Sequence, residues 1–459
     1  MKSVAIFCTL LFLALPALAQ NDLPANVNMQ FRFVNPGARA QAMGGAFIGL
    51  ADDTTAIFAN PAGLARLPSR TLALETNRTS RDNPIPFYQG RVNQTGLQDF
   101  SFELESRDFA ESGTSIPFLA YVQPKHRIKY GFFLAEQASF NRVFDTGPVG
   151  VDFFNDRILV DSFKFVWSPS TQNFVDLSLR SLGFSFAGQV SDRFFIGATL
   201  AYNQLDYAAR TTAIVDDPRL IFPEKSLVIP SDFPIGETFY DINVDGDDRQ
   251  LSVYVGALYS VSDKFSLGVA YKQQPKFDYS YQLTSLGGEP DAGGNSFNVP
   301  DSLGLGFSFL PSDTTTLSFE VTRLYYSDLS EDFESFFSND TDPSAITQTV
   351  GDTTEYHLGL EYFITSTTYP IALRAGYWFE PYHALVNTSL DTQLLYRYVN
   401  DVGNNVPELR PTFFLHRFEE DLNHFTLGVG VSFGKFTLDF SGDRDDFNSS
   451  YSLSSIYRF

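Results

Sequence analysis

The sequence predicts an all-β chain: a fourteen-stranded antiparallel transmembrane β-barrel with an N-terminal hatch, or plug, inside its lumen. Three observations carry this prediction. Apolar residues alternate at period two with Gly, Ser and Thr along many segments. Short turns alternate with long polar loops. The last residue, Phe459, ends an alternating segment.

Composition removes other classes. The 459 residues carry a net charge of -22, whereas binding a nucleic-acid backbone needs a basic surface. Aromatic residues make up 15%, too many for a disordered chain. Mean hydropathy is -0.10. Beyond the N-terminus no apolar run reaches the roughly 18 residues that a membrane-spanning helix needs.

The first element is a signal peptide over 1–19. Lys2 supplies the positive start, Val4 to Leu18 the apolar stretch, and Ala17-Leu18-Ala19 the small-residue cleavage site. The exported chain then begins at Gln20. Cys8, the one cysteine, leaves with the signal, so neither disulfides nor thiol chemistry is expected.

The second element, 20–70, lacks strand alternation. It is dominated by small residues, as in Met43-Gly44-Gly45-Ala46 and Asn60-Pro61-Ala62-Gly63-Leu64. Such a segment cannot bury a core of its own but can pack inside a wall. A barrel of about fourteen strands has a lumen too wide for its own side chains to fill.

The third element is the barrel, 71–459. Strands are expected near 71–79, 115–124, 128–140, 175–190, 194–210, 247–261, 264–282, 298–310, 315–328, 352–364, 370–380, 421–433, 435–444 and 450–459. In 425–433, for example, Phe425, Leu427, Val429, Val431 and Phe433 alternate with Thr426, Gly428, Gly430 and Ser432. Alternation alone also fits a soluble sandwich. The connections decide. Tight turns stand at Ser191-Asp192-Arg193, Ser262-Asp263-Lys264, Pro311 to Thr314 and Phe433-Gly434-Lys435, and long polar segments at 141–174, 214–246, 329–351 and 381–420. A compact sandwich rarely carries four such loops; an outer-membrane barrel has short periplasmic turns and long outer loops. The expected location is therefore the bacterial outer membrane, with its lipid and lipopolysaccharide as surroundings. Tyr451, Leu453, Tyr457 and Phe459 share one face, which looks like the insertion signal read by the outer-membrane assembly machinery.

Residues 37–67, GARAQAMGGAFIGLADDTTAIFANPAGLARL, with Asn60-Pro61-Ala62 as the most telling part, resemble the FadL family of outer-membrane transporters for long-chain fatty acids and other hydrophobic compounds. Pro117 and the hairpin around Pro124-Lys125 look similar too. The resemblance implies a hatch inside a fourteen-stranded barrel and passive uptake of hydrophobic molecules, with long-chain fatty acids as the leading class and aromatic hydrocarbons next, and lateral exit through the wall. A looser version of the same start occurs in the PorV-type component of the type IX secretion system, which leaves a protein-docking barrel as the alternative. Burying each CH2 gains roughly 0.8 kcal/mol, so the ligand's own gradient suffices and no nucleotide or other cofactor is expected.

Candidate site residues follow. In the hatch they are Arg39, Gly44, Gly45, Asp52, Asp53, Asn60, Pro61 and Ala62. Arg39 or Arg66 could meet a carboxylate head, but pairing with a wall glutamate is the favoured expectation. Glu320, Glu361 and Arg374 fall on the polar face of their strands. Loop aromatics Phe153, Phe154, Phe163, Phe333, Phe336, Phe337, Phe413 and Phe414 could form a capture surface or pack on each other. Asp241, Asn243, Asp245 and Gly246 read weakly like the start of a calcium loop, although Ser252 stands where the bidentate glutamate belongs. No G-x-S-x-G or H-E-x-x-H motif occurs, and no enzyme activity is expected.

Overall fold

The computed structural model describes residues 35–94, 100–125, 127–152, 165–221, 229, 231–328, 348–349, 351–383, 386–387 and 421–459. The signal peptide, residues 20–34 of the expected hatch and the eight loop aromatics lie outside the described residues.

Fourteen antiparallel strands close into a barrel. They are β1 (Thr71–Gln94), β2 (Phe100–Lys125), β3 (Ile128–Thr146), β4 (Ser170–Ser191), β5 (Phe194–Ile214) and β6 (Thr238–Ser262). Then come β7 (Phe265–Gln273 with Lys276–Ser285), β8 (Asp291–Asn298 with Ser302–Ser312), β9 (Thr315–Leu324) and β10 (Thr353–Ile364). The last four are β11 (Ile371–Glu380), β12 (Leu422–Phe433), β13 (Phe436–Arg444) and β14 (Asn448–Arg458). Pairing of β1 with β14, from Thr71↔Arg458 to Arg81↔Asn448, shuts the ring. Closure removes the sheet edge, whose unpaired backbone groups would be costly in hydrocarbon.

Alternation sets the facing. On β4, Leu182, Phe184 and Phe186 are exposed on the outer surface, while Ser181 and Ser185 are buried inside. Leu251, Val253 and Val255 on β6, and Phe425, Leu427 and Val429 on β12, are likewise exposed. A water-soluble sandwich would bury these residues; a lipid-facing wall presents them.

Several strands run further than their sequence suggested, and the sense of alternation inverts along them. Above Arg180 on β4, Leu179, Leu177 and Val175 turn inward and are buried, whereas Arg180, Asp176 and Gln172 face outward and are exposed. The inner surface there joins Leu205, Tyr207 and Ala209 of β5, Ile242 and Val244 of β6, and Phe277 and Tyr279 of β7 in one apolar cluster. Lipid lies outside the lower part and water outside the upper part, so the apolar face moves from outside to inside. The segments 170–174 and 238–246, expected as loop, belong to these upper strands.

Residues 35–67 run within this wall as short turns: α1 (Ala38–Ala42), α2 (Ala56–Ala59) and a 3-10 helix (Pro61–Arg66). No helix among the described residues is long and apolar enough to cross a membrane. Glycines of the wall let the segment approach closely. A Cβ on Gly376 would stand 2.1 Å from the Gly44 nitrogen, and one on Gly256 2.0 Å from the Asn60 Oδ1. The Gly and Ser residues of the inner face thus serve as a seat for the segment.

Candidate functional site

The N-terminal segment meets two unlike halves of the inner wall. Towards β9 to β14 and β1 the contacts are polar. Glu320 accepts the backbone N–H groups of Phe47 and Ile48 at 2.9 and 2.8 Å. Glu75 accepts the Gly37 N–H at 2.6 Å. The Ala38 N–H donates to Ser454 Oγ at 2.8 Å, and the Gly44 N–H to Thr426 Oγ1 at 3.1 Å.

A buried ion network lies at the centre of this half. Arg39 donates to Glu361 through Nε and Nη2, at 2.9 and 2.8 Å, and through Nη1 to Asp52 and Asp53, at 2.5 and 3.3 Å. Arg374 joins Glu361 and Asp439, both at 2.7 Å. Glu361 and Arg374 are directly opposite in the β10–β11 register. The structure therefore unites Arg39, Asp52, Asp53, Glu361 and Arg374, and places Arg39 on a wall glutamate. Arg66 instead donates to the Leu50 carbonyl at 3.3 Å.

Histidines add to the polar half. The His424 ring nitrogens lie 3.0 Å from Glu380 and 3.2 Å from Asp443, and the ring stacks on Trp378 at 3.6 Å. These partners come from β11 and β13, on either side of His424's own β12, so no spacing in the sequence could reveal them.

Asn60 ties the segment to the wall on the other side. Its Nδ2 donates to the carbonyls of Ile48 and Ala257 at 3.1 and 3.0 Å, while its Oδ1 accepts the Ala62 N–H at 3.1 Å and caps the 3-10 helix. Pro61 fits the first position of that helix, where no N–H is needed. Gly44 and Gly45 take φ of 63° and 78°, a region that favours glycine. In this structure the Asn-Pro-Ala motif holds backbone to backbone.

Towards β2, β3 and the Tyr254 ring of β6 the contacts are apolar. The Phe58 ring packs on Phe133 at 5.0 Å, Tyr254 at 5.8 Å and Phe118 at 6.0 Å. Beside these rings the wall parts. β2 and β3 pair only from Lys125↔Ile128 to Phe118↔Ala135. Above that level β2 continues along β1 and β3 along β4, with no pairing between them among the described residues. A register shift at Gln137 marks the spot. Gln137 is the extra residue of a bulge, and such insertions bend a strand and re-aim its side chains. Inward positions on β3 change parity there, from Phe133 and Ala135 to Ala138 and Phe144. That slip is the one signal in the sequence that could have exposed the gap.

The calcium reading of Asp241, Asn243 and Asp245 does not survive. These residues lie on β6, not in a loop, and alternate along its outer, water-facing part. Asp241 is engaged by Arg210 Nε at 2.9 Å. An extended strand spreads such side chains along its length and cannot wrap a cation. Among the described residues no group of His, Cys, Asp and Glu is placed to hold a metal ion.

The family model for outer membrane protein transport proteins (OMPP1/FadL/TodX) matches residues 163–389. The chain belongs to this family. It is an outer-membrane β-barrel transporter of hydrophobic compounds, from a family of channels rather than enzymes. Solved structures of the same fold include the Ralstonia pickettii toluene transporter TbuX, at 16% identity and TM-score 0.55 over 94% of this chain and 100% of that one. A Pseudomonas aeruginosa FadL homologue aligns at 16% identity and TM-score 0.59, covering 93% and 98%. The Pseudomonas putida toluene transporter TodX aligns at 14% identity and TM-score 0.52, covering 93% and 98%. No curated protein sequence matches significantly.

Proposed function

We propose that the chain takes up apolar small molecules passively and releases them sideways into the outer membrane between β2 and β3, with residues 20–70 as the hatch. The supporting observation is the gap above Phe118 and Ala135, next to an apolar inner surface. Two neighbours are named toluene transporters and a third a monoaromatic hydrocarbon channel. The sequence resemblance adds long-chain fatty acids. Both classes offer an apolar body whose burial drives binding.

The two-sided attachment suggests how the hatch yields. Buried ion pairs are not replaceable by a hydrocarbon, because a freed charge would be left unpaired. Ring packing is replaceable, because a ligand ring or chain restores the lost contacts. Displacing Phe58 opens a path from the lumen to the gap while the Arg39 side stays fixed. Lipopolysaccharide then bounds the route from outside, bilayer lipid receives the ligand, and the assembly machinery reads the Phe459 end. The glutamates and Arg374 act as anchors for the hatch.

Deleting Gln137 removes the extra residue and lets the alternation of β3 continue, so β2 and β3 can zip further. Cells expressing that variant should take up radiolabelled toluene or a long-chain fatty acid several-fold more slowly. The barrel should still migrate faster unboiled than boiled on a gel. Undiminished uptake would count against lateral release.

A further inference from the structure

We propose that the lip of the gap selects neutral ligands carrying one hydrogen-bond donor, such as a hydroxylated aromatic, and that Gln137 receives this group. The inference rests on the lateral-release reading. Gln137 Nε2 faces Ser181 Oγ at 2.5 Å, Tyr254 Oη at 3.0 Å and Asn203 Oδ1 at 3.1 Å.

Neighbouring groups fix which end of the amide lies there. The Gln250 carbonyl can only accept, and Asn203 Nδ2 donates to it at 3.2 Å. That turns Asn203 Oδ1 towards Gln137. Ser181 Oγ spends its own proton on the same Oδ1 at 2.6 Å, so it can only accept from Gln137. The nitrogen of Gln137 must therefore point into the network. Its Oε1 has no hydrogen-bond partner among the described residues, and the side chain is only half-buried. An amide carbonyl is left open two residues above the last β2–β3 pair.

An open carbonyl accepts from a hydroxyl and repels a carboxylate, which has no proton to give. The lumen reinforces that choice. Buried side chains among the described residues include nine carboxylates and one arginine, Arg374, which Glu361 and Asp439 already hold. Arg39 is equally committed to Glu361 and Asp52. Lys272 lies on β7 and bonds Asn35 at 3.3 Å. At the Gln137 carbonyl an anion would lose its water and find no cation among the groups bonded there, Ser181, Asn203 and Tyr254. A neutral ring loses little, and one hydroxyl on it recovers a hydrogen bond.

The test compares ring-matched probes in cells whose lipopolysaccharide is intact: toluene, 4-methylphenol and 4-methylbenzoate at pH 7. Wild type should favour 4-methylphenol over toluene and exclude 4-methylbenzoate. In Gln137→Leu the 4-methylphenol to toluene ratio should fall about tenfold, or about 1.4 kcal/mol. Gln137→Asn keeps both ends of the amide, the donor for Ser181 and Asn203 and the open acceptor, and should keep the preference, which separates recognition from damage to the bulge; unboiled gel migration checks both barrels. An unchanged ratio in Gln137→Leu, loss of preference in both variants, or 4-methylbenzoate entering as fast as 4-methylphenol would overturn the proposal. Toluene entering no faster than in cells lacking the chain would overturn the transport reading beneath it, and this proposal with it.

Discussion

The half of the wall formed by β9 to β14 and β1 holds residues 35–67 with charges and directed hydrogen bonds; the half formed by β2 to β7 holds them mainly with rings and methyl groups. Directed bonds fix one geometry and leave a costly remainder when broken. Apolar contacts can be exchanged for others of the same kind. The contrast teaches that a segment can be firmly seated on one side and displaceable on the other, with no flexible hinge required.

Substitutions should separate the halves in order of size. Arg374→Met strands Asp439 and leaves Glu361 with Arg39 alone; loss of about 3–5 kcal/mol is expected, seen as a lower unfolding temperature of the folded gel band. A variant as stable as wild type would mean that the charged half does not anchor the fold. Phe58→Ala empties the space between Phe118, Phe133 and Tyr254. It should cost about 3 kcal/mol, yet raise toluene uptake, because the displaceable contact is gone; slower uptake would reverse the assigned roles. Glu320→Ala frees two backbone N–H groups at about 2 kcal/mol. Planar-bilayer conductance should then rise, though less than after removal of the whole segment; a flat conductance would speak against a plug. Asn60→Ala, losing the cap and the bonds to the Ile48 and Ala257 carbonyls, should also cost about 2 kcal/mol in the same unfolding measurement. The smallest effect belongs to Asp241→Ala on the water-facing side of β6. It should change stability by less than about 1 kcal/mol, and added calcium should protect neither protein against heat.

The strand number and facing were legible because lipid enforces a strict alternation, as on Leu182, Phe184 and Phe186. The inward placement of Glu320, Glu361 and Arg374 followed from the same parity. Strand length was less legible. Above Arg180 the outward Asp176 and Gln172 give the segment the polar look of a loop, although its inward Leu179, Leu177 and Val175 keep the period. Asp241 misled for the same reason. The aromatic floor was hidden because Phe58, Phe118, Phe133 and Tyr254 are far apart in the chain and only closure of the barrel assembles them. Gln137 carries no motif; its importance comes from a slip in register, which needs the neighbouring strand to be seen.

The inversion of facing along β4, β5 and β6 gives the tall part of the barrel an apolar lining behind a polar exterior. A greasy molecule that reaches its rim need not be solvated again on the way down. On the proposed route, wall height alone would then carry the ligand past the outer coat, before any part of the protein moves.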